Sequence, residues 1–177
     1  MFFLMTFTAC GDAGFSNLFS SDAGTSLKVQ YIRTDEHSDS GGVKYPVITV
    51  VSSKTELDRY YNNNKDIYYL GPNYLRFRER DPDLNYADEY FALGFIEAIE
   101  NYSDTFFADN FLVLVLLEEG SGSIRHKVER IDKNGDIAIS RLIPEGDCTG
   151  DMAEWHIIIE RGKDTLPKQF RVVFTDK

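Results

Sequence analysis

FLVLVLLEEGSGSIRHKVERIDKNGDIAISRLI, residues 111–143, decides the fold. Phe111 to Leu117 is an uninterrupted apolar run of strand length, the pattern of a strand covered on both faces. After the small residues Gly120 to Ser123, the stretch SIRHKVERI alternates. Ile124, His126, Val128 and Arg130 fall on one side, and Arg125, Lys127, Glu129 and Ile131 on the other. IAISRLI follows the turn DKNGD, and Asn134-Gly135 is the strongest short-range hairpin signal in the chain. The same turn offers Asp132, Asn134 and Asp136 at the spacing that begins a calcium loop. The bidentate Glu that closes such a loop is replaced by Ile143, so a hairpin is expected over 124–143.

Downstream, MAEWHIIIE and KQFRVVFT read as two further strands around the turn-rich RGKDTLP. In the first of them Met152, Glu154, His156 and Ile158 alternate with Ala153, Trp155, Ile157 and Ile159, and Trp155, the single tryptophan, is expected in the core. Upstream, LKVQYIRT alternates from Leu27, and YPVITVV reads as a more buried strand that pairs with it. Ser53 and Glu56 form a capping box for a helix carrying Leu57, Tyr60 and Tyr61, which the run Asn62 to Asn64 ends. A second helix is expected from about Tyr86 to Tyr102, with Gly94 inside it. Between them, 65–83 reads as an ordered loop holding a basic cluster, Arg76, Arg78 and Arg80. These elements predict an α+β domain over 27–177: a mainly antiparallel sheet of about five to seven strands with two helices packed on one face.

The N-terminal stretch MFFLMTFTAC matches the end of a bacterial lipoprotein signal, with an apolar run, small residues at Thr8 and Ala9, and then Cys10. No Lys or Arg precedes the run and Phe7 stands where Leu is usual, so residues 1–10 read as a truncated signal whose start lies upstream. The competing reading is a buried N-terminal strand. Residues 11–26, rich in Gly, Ser, Ala and Asp, read as a flexible linker between a lipid on Cys10 and the fold. The expected location is the cell envelope, on the extracytoplasmic face of the membrane.

Composition narrows the function classes. A chain of 177 residues with 42% apolar content fits one domain, and a formal charge of −10 repels phosphate backbones, so nucleic acid is not an expected partner. Membrane contact is expected through the lipid anchor only. With Cys10 lipidated, Cys148 is a single thiol in the acidic stretch EGDCTGD, where a thiolate is disfavoured, so a quiet structural role is expected. Neither HExxH, CxxC, GxSxG nor a phosphate loop occurs, and no cofactor is expected.

The order FLVLVLLEEGSGSIRHKVERI, a strand, a proline-led loop with a cysteine, then DMAEWHIIIE resembles a group of bacterial cell-surface lipoproteins with no assigned function, from about Val47 onward. After Phe111 the chain is also distantly similar to the C-terminal domain of the B-type family of protease-complex proteins. It departs from that family in having Gly120 to Ser123 where a threonine-glycine-glycine-tyrosine type turn is usual. The resemblance implies an extracytoplasmic interaction module. The residues expected to bind a protein, peptide or glycan are Glu118, Glu119, Ser121 and Ser123, read as an exposed polar tip, with Asp147 and Asp151 in a second acidic loop. The alternative reading is a metal-assisted hydrolase built from His126, His156 and Glu154.

Overall fold

The apolar run at 111–117 sits in a ten-residue strand with a packed layer on each side. The computed structural model describes residues 19–20, 26–34, 42–68, 70, 94–145, 150 and 152–175. In chain order the elements are β1 (Phe19–Ser20), β2 (Ser26–Arg33), β3 (Val47–Val51), α1 (Lys54–Asn64), α2 (Phe95–Ile99), α3 (Asp104–Asp109), β4 (Asn110–Glu119), β5 (Arg125–Ile131), β6 (Asp136–Leu142), β7 (Ala153–Gly162) and β8 (Arg171–Thr175). They form two sheets, a five-stranded one in the order β1-β2-β7-β4-β3 and a three-stranded one in the order β5-β6-β8. The fold is α+β, as the sequence predicts, and all described ladders are antiparallel except β6 with β8.

Alternation along β4 supplies both cores. Leu112, Leu114 and Leu116 face the helices, where Leu57, Phe95, Ala98, Ile99 and Phe107 meet them together with Ile158. Phe111, Val113, Val115 and Leu117 face the small sheet and pack with Val128, Ile137, Ile139, Trp155 and Ile157. Each of these seven β4 side chains contributes roughly 1.5–3 kcal/mol by leaving water, so β4 ties the two cores together. The result is three layers: helices, large sheet, small sheet.

Several expectations are corrected in detail. The sequence predicts one sheet and there are two, because a strand buried on both faces needs a cover on each. β2 and β3 do not pair with each other; β2 lies against β7, and β3 against β4. Both find longer apolar partners there than in each other. Strand pairing also begins earlier than Leu27, since Phe19 and Ser20 pair with Leu27 and Ser26 inside the stretch read as a linker. In the described part of the second helix, Gly94 is an extended N-cap rather than an interior residue, and α2 ends at Ile99. Glycine disfavours a helix interior, and Ser103 opens a separate helix by accepting a hydrogen bond from the Phe106 N–H.

The local signals at α1 and at the β5–β6 turn are realised. Ser53 Oγ accepts from the Glu56 N–H at 3.2 Å, and Glu56 reaches back to the Ser52 N–H at 2.7 Å. In the turn, Asp132 Oδ1 accepts from the Asn134 and Asp136 N–H groups, and Gly135 adopts φ +91°. Asp132 Oδ1 is thus engaged by the backbone of the turn and the Asp136 carboxylate by Arg171, so both side chains serve the hairpin. Residues 71–93, with the Arg76, Arg78 and Arg80 cluster, and residues 1–18 lie outside the described residues.

Candidate functional site at the acidic end of the sheets

β4 ends where β7 begins, with Glu119 opposite Ala153, and β5 begins where β6 ends, with Arg125 opposite Leu142. One end of the molecule therefore gathers Glu118, Glu119, the 120–124 connection and the described flanks of the 143–152 loop. Of the second acidic segment singled out from the sequence, the described flanks Glu145 and Met152 lie at this end. Asp147, Cys148 and Asp151 lie outside the described residues.

Glu119 is not part of an exposed tip. It is 4% exposed, and its Oε1 accepts from His126 Nε2 at 2.8 Å and from Arg141 Nε at 2.9 Å. Burial works to raise this carboxyl, but the hydrogen bond from His126 and the charges of His126 and Arg141 outweigh it and hold it below the usual carboxylate range. Three strands supply the three groups, so the triad ties β5 and β6 of the small sheet to β4 of the large one. The His126 ring stands edge-on to Trp155 at 5.6 Å, the Arg125 guanidinium lies 5.2 Å over the same indole, and Arg141 lies 4.5 Å over Phe174.

The connection after Glu119 is also packed. Ser121 is buried, its Oγ lies 2.8 Å from Ser123 Oγ, and the Arg125 guanidinium donates to the Gly122 carbonyl. Ser123 is half-buried and only Gly120 is exposed. The stretch read as an exposed tip is a folded turn, because small residues here let the chain close tightly over the end of the inter-sheet core.

Glu118 points the other way. Strand alternation puts it on the helix side of β4, directly opposite Glu154 of β7, and it is half-buried. What the end of the molecule does expose is apolar: Leu142 is 47%, Ile143 63% and Met152 58% accessible, beside the exposed Pro144 and Glu145. Sequence reasoning misses these three side chains. The readable signal is Leu142-Ile143, which carries an alternating strand past its last inward position into Pro144.

The two histidines of the hydrolase alternative are not brought together. His126 packs against Trp155 between the sheets, whereas His156 faces the helices. There the His156 ring meets Tyr60, Tyr68 and Phe95 edge-on at 5.9, 5.4 and 5.1 Å, and its Nδ1 lies 2.8 Å from Thr34 Oγ1. Burial alone drives its pKa down to about 3, so it is a neutral ring in an aromatic enclosure. A full thickness of sheet separates the pair, and among the described residues no three His, Cys, Asp or Glu side chains converge as metal ligands.

No known protein family, curated protein or solved structure matches the chain. Among the described residues, no helix is long and apolar enough to cross a membrane.

Proposed function

We propose that this protein is an extracytoplasmic lipoprotein, anchored through Cys10, that works as a binding module for an extracellular protein or peptide through the end of the sheets that carries Leu142, Ile143, Met152 and Glu145. The observation that carries the reading is the exposure of three large apolar side chains, Leu142 at the end of β6, Ile143 directly after it and Met152 directly before β7, with the exposed Glu145 two residues after Ile143. Apolar groups presented together on rigid strands are the usual core of an interaction surface, and a rim of one charge selects the partner. The partner that fits is apolar and basic. Asp147 and Asp151 belong to the same loop by sequence and add two carboxylates to it. The order of apolar, small and cysteine residues at 1–10 supports the location.

Two experiments test the two halves of this reading. Capture of surface proteins by the wild-type domain is compared with capture by a Leu142→Ser, Ile143→Ser, Met152→Ser variant and by a Glu118→Gln, Glu145→Gln, Asp147→Asn, Asp151→Asn variant. The apolar variant should lose its partner at all salt concentrations. The charge variant should bind weakly and lose the salt dependence that the wild type shows. Equal capture by all three proteins rejects the surface. For the anchor, wild type expressed with a complete signal should incorporate labelled fatty acid, and Cys10→Ser should not; the same fractionation of both with membranes rejects the lipid assignment.

A further inference from the structure

The small sheet leaves one edge open at β8. Its other edge, β5, is protected in three ways: a bulge between Val128 and Arg130, the charges of Lys127, Glu129 and Arg130, and the Tyr31 hydroxyl, which accepts from the Val128 N–H at 2.8 Å. In the large sheet, β3 starts directly behind Pro46 and runs on at once into the Ser53 cap of α1, so both its ends are closed to a longer ladder. β8 has none of these devices. Its sequence RVVFT holds no charge after Arg171, no proline and no glycine, and among the described residues nothing pairs with its outer side.

Which groups face outward follows from the ladder with β6. The Arg171 N–H donates to the Gly135 carbonyl, so Arg171, Val173 and Thr175 turn their backbone groups toward β6, and Val172 and Phe174 turn theirs away. The Val172 and Phe174 side chains face the core, while Val173, at the centre of the strand, is 38% exposed. We propose that β8 pairs antiparallel with β8 of a second copy of this chain, about a two-fold axis at Val173, to join two small sheets into one of six strands.

This register is self-complementary. Val172 lies opposite the partner's Phe174, and Phe174 opposite the partner's Val172. Each pair exchanges both of its backbone hydrogen bonds, so all four outward donors and all four outward acceptors are paired. Val173 meets the partner's Val173 as a non-hydrogen-bonded pair, the closest side-chain approach a ladder offers, which removes the exposed valine from water. Arg171 lies opposite the partner's Thr175, so no like charges face each other, and it keeps its two-pronged pair with Asp136 of its own chain.

The test is sedimentation equilibrium of the full chain, with Cys10→Ser and Cys148→Ser, from low micromolar to millimolar concentration. The expected result is a mass rising toward the dimer with concentration. Val173→Lys, on the exposed face, places two ammonium groups against each other on the axis and should weaken association at least about tenfold. In the same background Val173→Cys should oxidise to a covalent dimer, because the Cα atoms of such a pair stand about 4.5 Å apart, within disulfide reach. Arg171→Cys, which faces the partner's Thr175, should not cross-link. A chain that stays monomeric throughout, or a dimer indifferent to Val173→Lys, overturns the proposal; the first result leaves the edge to a strand of another protein, the second to a different interface.

Discussion

Trp155 and His156 are consecutive residues of β7 and belong to different cores: the indole lies between the two sheets against His126, and the imidazole lies under the helices against Phe95. Two neighbouring side chains of one strand are therefore split by the whole sheet. Any chemistry shared by the two would have to pass through the backbone of β7. Their physical roles differ accordingly, the indole anchoring the small sheet and the imidazole completing an aromatic cluster.

Buried His156 makes stability depend on pH in a defined window. In the fold its pKa is about 3, while in the unfolded chain it titrates near 6.5, so the unfolded state binds the extra proton between these values. The contribution is fully present above about pH 6.5 and falls as pH drops toward 3, by no more than about 1.4 kcal/mol per pH unit. Urea midpoints measured from pH 6.5 to about 5, above the range where carboxylates protonate, should decline for wild type. His156→Leu should flatten that slope, and a slope unchanged by the substitution would show that another group causes it.

Removing Glu119 should be costly. Glu119→Ala leaves a buried imidazole and a partly buried guanidinium without their shared acceptor, and the expected loss is about 2–4 kcal/mol of unfolding free energy. Glu119→Gln, which keeps an acceptor oxygen, should cost less, while Glu118→Gln should stay within about 0.5 kcal/mol. Similar losses at 118 and 119 in chemical denaturation would contradict the triad.

Gly135 is required twice over. Its φ of +91° is disfavoured for any side chain, and a Cβ there would stand 1.9 Å from the Gln169 carbonyl oxygen, where the segment leading into β8 crosses the hairpin turn. Gly135→Ala should lower stability by about 2 kcal/mol or more and loosen β8, seen as faster amide exchange at 171–175. Normal exchange there would mean that the crossing is not tight.

At Ser53 the expected effect is smaller and local. Ser53→Ala removes the cap on the Glu56 N–H and should cost about 1 kcal/mol, with faster exchange confined to the first turn of α1. A cost near zero would mean that solvent replaces the cap.

The strand pattern and the hairpin are legible because β4 and β7 carry apolar runs of strand length and β5 and β6 alternate on either side of Asn134-Gly135, and the capping box is legible because it is a short-range motif. The buried triad is legible in principle. Glu119 continues the inward series of Val113, Val115 and Leu117, His126 precedes inward Val128 by two, and Arg141 follows inward Ile139 by two. Charge outweighs period at these positions, so that a carboxylate at a strand end reads as exposed when its spacing points inward. The division into two sheets and the β2–β7 pairing are not legible, because an apolar run does not say which distant strand will cover it. The parallel β6–β8 ladder depends on a connection through β7 that no local signal encodes.

The order of strands in the large sheet also bears on how the chain can be made. β2 has β1 on one side, but its long neighbour is β7, and β4 is flanked by β3 and that same late strand. A ribosome delivers β2 well before β7, so in that interval β2 and β4 each lack the long partner that closes their apolar surface. Assembly of the large sheet waits until Ala153 to Gly162 has emerged and slots between strands already waiting on either side. Such a chain, rich in pairings between distant segments, folds late and all together. Under the export proposed above, that delay would keep the polypeptide threadable until β7 has left the ribosome.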